Sequence, residues 1–149
     1  MTEDAATRAL AAALFAELMN SEQLARSMVT RVLPGGMQLS HFSVLNLLAH
    51  LNGERTPAEL ARAFHVTRGA MTNTLARLEW AGYVHIRPDW DDARRKFVAI
   101  SPTGRAARDA ALAALMPRLA GIVHDLGPDE VRAALPVLRR LRERLEDEI

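Results

Sequence analysis

The chain has 149 residues, 49% of them apolar, and a formal net charge of +1, which suits one compact domain with a buried core and excludes a disordered tail. It contains no cysteine, so disulfides, thiolate zinc sites, cysteine nucleophiles and thiol-based peroxide sensing are excluded together. The N-terminal "MTEDAATRAL" is acidic and has no basic leader, and no apolar run nears the ~18 residues that span a bilayer; the expectation is a cytoplasmic protein without membrane contact.

Ala and Leu dominate the apolar residues, which favours helix over sheet. Residues 4 to 33 read as helix with an interruption at "NSEQ", where Ser21 suits an N-cap, and "LPGG" over 33–36 stops it. A second helix is expected from a Ser40 cap, with Phe42, Leu45, Leu48 and Leu51 on its apolar stripe and Asn52-Gly53 at its end. In "RTPAELARAFHV", Thr56 and Glu59 have capping-box spacing and Pro57 sits at the first helical position, predicting a helix of about two turns. "HVT" is a turn, and Thr67 caps the next helix, "RGAMTNTLARLEWAG".

Only then does the period change from 3.6 to 2. Val84 and Ile86 in "YVHIR", and Val98 and Ile100 in "KFVAI", predict two half-buried strands around the polar loop 88–95. "SPTG" starts a further helix with Ser101 as N-cap, running to about Leu126 with a bend expected at Pro117. A last helix follows Gly127-Pro128, with acids in its first turn.

The order short helix, turn, longer helix, hairpin is that of a winged helix-turn-helix. On the longer helix Met71, Thr74, Leu75, Leu78 and Gly82 fall in one arc that would face the core. Gly69, Asn73, Ala76 and Trp80 collect on the opposite arc, with Thr72 and Arg77 at its flanks. A helix that enters a major groove needs such a small, hydrogen-bonding surface. Gly69 argues against a plain solvent-facing helix, because glycine costs ~1 kcal/mol there relative to alanine. The helix N-terminus at Thr67 and Arg68 favours a phosphate.

Charge is distributed unevenly. Between Thr67 and Arg105 there are seven cations (Arg68, Arg77, Arg87, Arg94, Arg95, Lys96, Arg105) against four acids (Glu79, Asp89, Asp91, Asp92). An arginine on a thin projecting loop can enter a narrow, electronegative minor groove. Asp92, two residues before Arg94, could fix the direction of that guanidinium, leaving Arg95 and Lys96 for phosphates. The competing reading of the loop is a solvated turn with incidental ion pairs worth ~0–1 kcal/mol each.

Residues 42 to 104 resemble the MarR family of bacterial winged helix-turn-helix transcriptional regulators, most specifically in Asp92-x-Arg94 followed by "FVAISPTG" and in "LARLEWAGYVHI". The resemblance implies a mainly α fold with a small β-hairpin wing. It divides the chain into N-terminal dimerisation helices (1–36), a winged helix-turn-helix DNA-binding lobe (37–101) and C-terminal dimerisation helices (102–149). It implies a homodimer that binds a pseudo-palindrome in double-stranded DNA, and it gives DNA-contacting roles to Arg68, Thr72, Asn73, Arg77, Asp92 and Arg94. With Thr67, Gly69, Arg95 and Lys96 from the residue reading, these form the expected DNA-binding set.

Three positions depart from the pattern: His65 stands where the turn usually has glycine, Asn73 replaces a commonly basic residue, and the first helix is longer before Ser21. Family members often respond to small aromatic or phenolic anions bound between the dimerisation helices and the DNA-binding lobe; His41 is the one nearby ionisable group to watch, and a surface or capping role is the simpler reading of it. No catalytic, P-loop, metal or other cofactor motif is present in the sequence, so the expectation is a non-enzyme without cofactors. The alternative from a different class is a winged helix that docks another protein. Loss of the Arg94 loop cations would abolish salt-dependent DNA binding but leave protein docking intact.

Overall fold

The computed structural model describes residues 2–149. Its elements run α1 (Thr2–Val32), a 3₁₀ turn (Pro34–Gly36), α2 (Leu39–Leu51), α3 (Pro57–Ala63), α4 (Arg68–Trp80), β1 (Val84–Pro88), β2 (Lys96–Ile100), α5 (Pro102–Leu126) and α6 (Pro128–Glu146). The chain divides into two compact units, Met1–Leu112 and Ala113–Ile149.

The core of the first unit is built from α2, α3, α4 and the hairpin. Val44, Leu45, Leu48, Leu60, Met71, Leu75, Leu78, Val84 and Val98 are each no more than 3% exposed. The strands pair antiparallel with Val84 opposite Ile100 and Ile86 opposite Val98, so the alternation expected from sequence does set the buried face. A third strand-like contact was not expected: Arg55 bridges Val98, its N–H donating to the Val98 carbonyl at 3.0 Å and its carbonyl accepting at 2.8 Å.

Local punctuation explains α3 and α4. The Thr56 hydroxyl accepts from the Glu59 N–H at 3.2 Å while the Glu59 carboxylate reaches back to the Thr56 N–H, a complete capping box with Pro57 at the first helical position. Past α3, His65 takes φ 53°, the left-handed conformation that histidine tolerates better than most residues. Its N–H and that of Val66 return to the carbonyls of Arg62 and Ala61, closing the helix as glycine otherwise does. Thr67 caps α4 by accepting from the Ala70 N–H at 3.1 Å. Gly82 (φ 79°) ends it with Tyr83 in the same double hydrogen-bond pattern.

The "SPTG" motif joins that end to α5. The Ser101 hydroxyl donates to the Gly82 carbonyl at 2.6 Å and accepts from the Gly104 N–H at 2.9 Å. Gly104 has no room for a side chain: a Cβ would fall against the Tyr83 carbonyl, 2.9 Å from its carbon.

Several expectations need correction. The helix over 4–33 is not interrupted at "NSEQ", since α1 runs unbroken through Ser21. Asn and Ser cost only tenths of a kcal/mol in a helix, roughly, without Gly or Pro beside them, and Glu22 pairs with Arg26 one turn on at 2.6 Å. Ser40 is not a cap either: α2 begins at Leu39, with Gln38 in the cap position and no side-chain bond. Burial of Leu33 and Met37 anchors this end instead. The α2 face that enters the core is Val44, Leu45, Leu48 and Ala49, while Leu51 stays 41% exposed and Phe42 half-buried. Gly82 lies on the surface beyond α4 rather than in its core arc. The expected extent of α5, by contrast, holds: it runs to Leu126 with Pro117 inside it.

In the second unit, the remainder of α5 and α6 leave Met116, Ile122, Val123, Leu126, Val137 and Leu138 exposed. In the first unit, α1 does the same with Leu10, Met19 and Leu24.

Candidate nucleic-acid interface

Three stripes run along α4 once its core face is set aside. The crest carries Gly69, Asn73, Ala76 and Trp80, all exposed; Trp80 is 92% exposed, so it packs against neither the hairpin nor any other described element. Gly69 has an ordinary helical backbone and open space where a Cβ would sit. Neither conformation nor internal packing calls for glycine there.

One flank of α4 presents Arg68, Thr72 and Glu79 to a groove of about 670 Å³. Arg94, Arg95 and Lys96 of the hairpin close its far side, and Glu59 and Arg62 of α3 close one end. Five of the expected site residues therefore line one depression: Arg68, Thr72, Arg94, Arg95 and Lys96. Arg62 and Glu79 were not expected in it. Arg62 lies on a different helix from the residues it faces, and only folding brings it there.

The opposite flank carries Arg77. Burial first, and the positive charge of Arg77 second, hold the His41 imidazole below its ordinary histidine value. Arg77 thus stands beside the start of α2, away from the groove that Arg68 and Thr72 share. On the same side a smaller cleft of about 290 Å³ is lined by Arg26, Ser40, Ser43, Phe64, Met71 and Thr74 among others.

At the hairpin tip the Asp92 carboxylate accepts from both the Arg94 N–H (3.1 Å) and its Nε (3.2 Å). The Arg94 side chain is nevertheless 91% exposed, so it is oriented without being covered. Arg95 approaches Asp89 at 3.9 Å, and the Asp89 N–H donates to the Arg95 carbonyl to close the loop.

The paired strands are different. Arg87 donates from Nε and Nη2 to both oxygens of Glu54, at 2.8 and 2.7 Å, and lies over the Phe97 ring at 4.7 Å. Its hydrogen bond holds the Glu54 carboxyl below the ordinary glutamate range. Arg105 donates to Asn52 Oδ1 at 3.1 Å, at the end of α2. These two members of the basic run are occupied within the fold. Among the described residues no group of three or more metal-ligating side chains is assembled, and no helix is long and apolar enough to cross a membrane.

A capped short helix, a tight turn, a second capped helix with a bare crest, and a hairpin with a charged tip define a winged helix-turn-helix. Residues 35–95 match the family model described as MarR family. The structure is similar to that of Sco5413, a MarR family transcriptional regulator from Streptomyces coelicolor, at 26% identity and a TM-score of 0.79, covering 92% of this chain and 96% of that one. It is also similar to a mutant MarR from E. coli complexed with operator DNA, at 24% identity and a TM-score of 0.73 over 85% and 91% of the two chains. A third similar fold is BpsR of Bordetella bronchiseptica, whose DNA binding is regulated by 6-hydroxynicotinic acid (19% identity, TM-score 0.77, 87% and 98% covered). No curated protein sequence gives a significant match. Over residues 35–95 the chain is thus similar to the MarR family, and its fold is that of solved MarR family transcriptional regulators.

Proposed function

We propose that the chain is a homodimeric repressor that binds a pseudo-palindromic operator and is released from it by a small-molecule effector. The observation that carries the reading is the crest of α4. Gly69, Asn73 and Ala76 are exposed, and the glycine answers no need of the fold itself. A major groove that must receive a helix backbone closely supplies that need. Gly69, Thr72 and Asn73 would face base edges; Thr67, already engaged as the cap, would offer the helix N-terminus to a phosphate. Arg68, Arg95 and Lys96 would meet phosphates, and Arg94, aimed by Asp92, the adjacent minor groove. Arg77 would reach a phosphate from the other flank.

Residues 1–36 and 102–149 form the dimerisation parts of this reading and 37–101 the DNA-binding lobe. Its support is the apolar surface left exposed on α1 and, separately, on α5 and α6, which a second copy would cover. Two lobes so joined would set their α4 helices about one helical turn of DNA apart. The cleft beside Arg26, Ser40 and Ser43 suits a small aromatic or phenolic anion: Arg26 offers a cation, the serines hydroxyls, and Phe64 and Met71 an apolar wall. An occupant would press on the inner flank of α4 and favour a lobe position that no longer fits DNA.

The test is capture of sheared genomic DNA from the host by purified protein at moderate salt, followed by sequencing. Enrichment of a few sites with inverted-repeat symmetry is the expected outcome. Uniform retention of fragments, or none, would refute specific operator binding.

A further inference from the structure

The groove between α3, α4 and the wing holds two residues with no part in the reading above, Arg62 and Glu79. On a DNA duplex a major groove and its neighbouring minor groove are separated by one sugar–phosphate strand. If α4 occupies the first and the Arg94 tip the second, the depression between them must receive that strand. Its lining is suited to a polyanion, since Arg62, Arg68, Arg94, Arg95 and Lys96 supply five cations. Among the described residues Arg62, Arg68 and Lys96 form no ion pair, whereas Arg87, Arg94 and Arg95 do. Three guanidinium or ammonium groups thus line the groove with no carboxylate within ion-pair distance among the described residues.

Two acids share the groove and differ in employment. The Glu59 carboxylate is spent on the capping box, accepting from the Thr56 hydroxyl at 3.0 Å and from the Thr56 N–H at 3.4 Å. Glu79, on the same flank of α4 as Thr72, is exposed and forms neither a side-chain hydrogen bond nor an ion pair among the described residues. A carboxylate left unpaired in a cation-lined channel would repel the phosphates drawn into it.

We propose that this groove seats one phosphodiester strand, that Arg62 grips a phosphate within it, and that Glu79 opposes the grip and so limits sequence-independent DNA affinity. The proposal rests on the DNA-binding reading and adds to it a contact from α3 and an opposing charge. Phosphate contacts supply nearly all non-specific affinity and carry no sequence information. Adjusting them changes how long the protein lingers on any DNA, without touching the residues on the crest.

The test uses the full chain, a fluorescently labelled mixed-sequence duplex of about 30 base pairs, and anisotropy titrations between about 50 and 200 mM salt. Each phosphate contact contributes ~0.9 to the slope of log affinity against log salt. Arg62→Ala should flatten that slope by about 0.9 for each lobe engaged and weaken binding roughly three- to tenfold at the lowest salt. Glu79→Gln, nearly isosteric, should act in the opposite direction, tightening binding about threefold there with a steeper slope. Melting temperatures of both variants should match the parent, since a purely structural role at the end of α3 would move stability and leave the slope alone. Arg94→Ala is the control. If it weakens binding while Arg62→Ala and Glu79→Gln keep the parental slope, the groove does not seat the strand, although the wing still binds DNA. If Arg62→Ala is too unstable to assay, an unchanged slope in Glu79→Gln alone overturns the proposal. Should the parent fail to bind the duplex at all, the proposal falls together with the reading beneath it.

Discussion

The paired strands and the tip of the hairpin each carry an arginine, and the fold treats them in opposite ways. Arg87, opposite Phe97 near the loop end of β1, has both Glu54 oxygens, an aromatic ring beneath it and 41% of its side chain exposed. Arg94, at the tip, has one carboxylate oxygen at 3.2 Å and 91% exposed. The first is held by the lobe and helps to hold the wing against it. The second is only steered, its donors left open to a partner. A count of positive charges treats them alike; the structure separates a cation engaged by the fold from one left open at the surface.

The largest expected effect breaks the foot of the paired strands. Gly104→Ala drives a Cβ into the Tyr83 carbonyl where α5 meets the foot of β1, and backbone cannot give way as a flexible side chain can. Chemical denaturation should show a loss near the upper end of the ~1–3 kcal/mol typical of overpacking. An unchanged midpoint would mean the junction is looser than described.

At the tip, Asp92→Ala removes the acceptor for both the Arg94 N–H and its Nε. A hydrogen bond has a net worth of ~0.5–1.5 kcal/mol, so DNA affinity should fall by about two- to tenfold with little change in melting temperature. Equal loss of both would place Asp92 with the strands rather than the tip.

Gly69→Ala extends the same opposition to α4. With open space at the site, the variant should gain roughly 0.5–1 kcal/mol of stability, since alanine is the better helix former, and should lose DNA affinity. A variant more stable and equally tight would leave the crest without a reason for its glycine.

The smallest effect concerns pH at the Arg87–Glu54 pair. The Arg87 hydrogen bond holds Glu54 below its ordinary value of 4.5. A depressed carboxylate contributes stability above its unfolded-state pKa and loses it as pH falls through the folded one. Thermal melts of the parent and Glu54→Gln should therefore differ at neutral pH and converge as pH drops below about 4.5. A constant gap down to strong acid would show that the ion pair is not its source.

What could be read from sequence was what acts over a few residues. The Thr56–Glu59 box, the Thr67 cap and the alternation of Val84, Ile86, Val98 and Ile100 each depend on near neighbours, and each stands in the structure. The direction of Arg94 was legible for the same reason, since Asp92 is two residues away. Arg87 and Arg105 were not, because their partners lie 33 and 53 positions distant. The same distance hid the Arg55 bridge and the entry of Arg62 into the groove. On α2 burial keeps Leu45 and Leu48 of the expected stripe but takes Val44 and Ala49 in place of Phe42 and Leu51. At "NSEQ" a weak helix-breaking signal lost to 31 residues of consistent helix.

The most direct test of the division between strands and tip is to measure Arg94→Ala twice on one preparation, by thermal melting and by titration against a site recovered from genomic DNA. A hydrogen bond from a charged donor is worth ~1.5–3 kcal/mol, which predicts a loss of affinity of about tenfold or more with the melting temperature unmoved. A lower melting temperature with parental affinity would make Arg94 a structural residue like Arg87 and contradict the account.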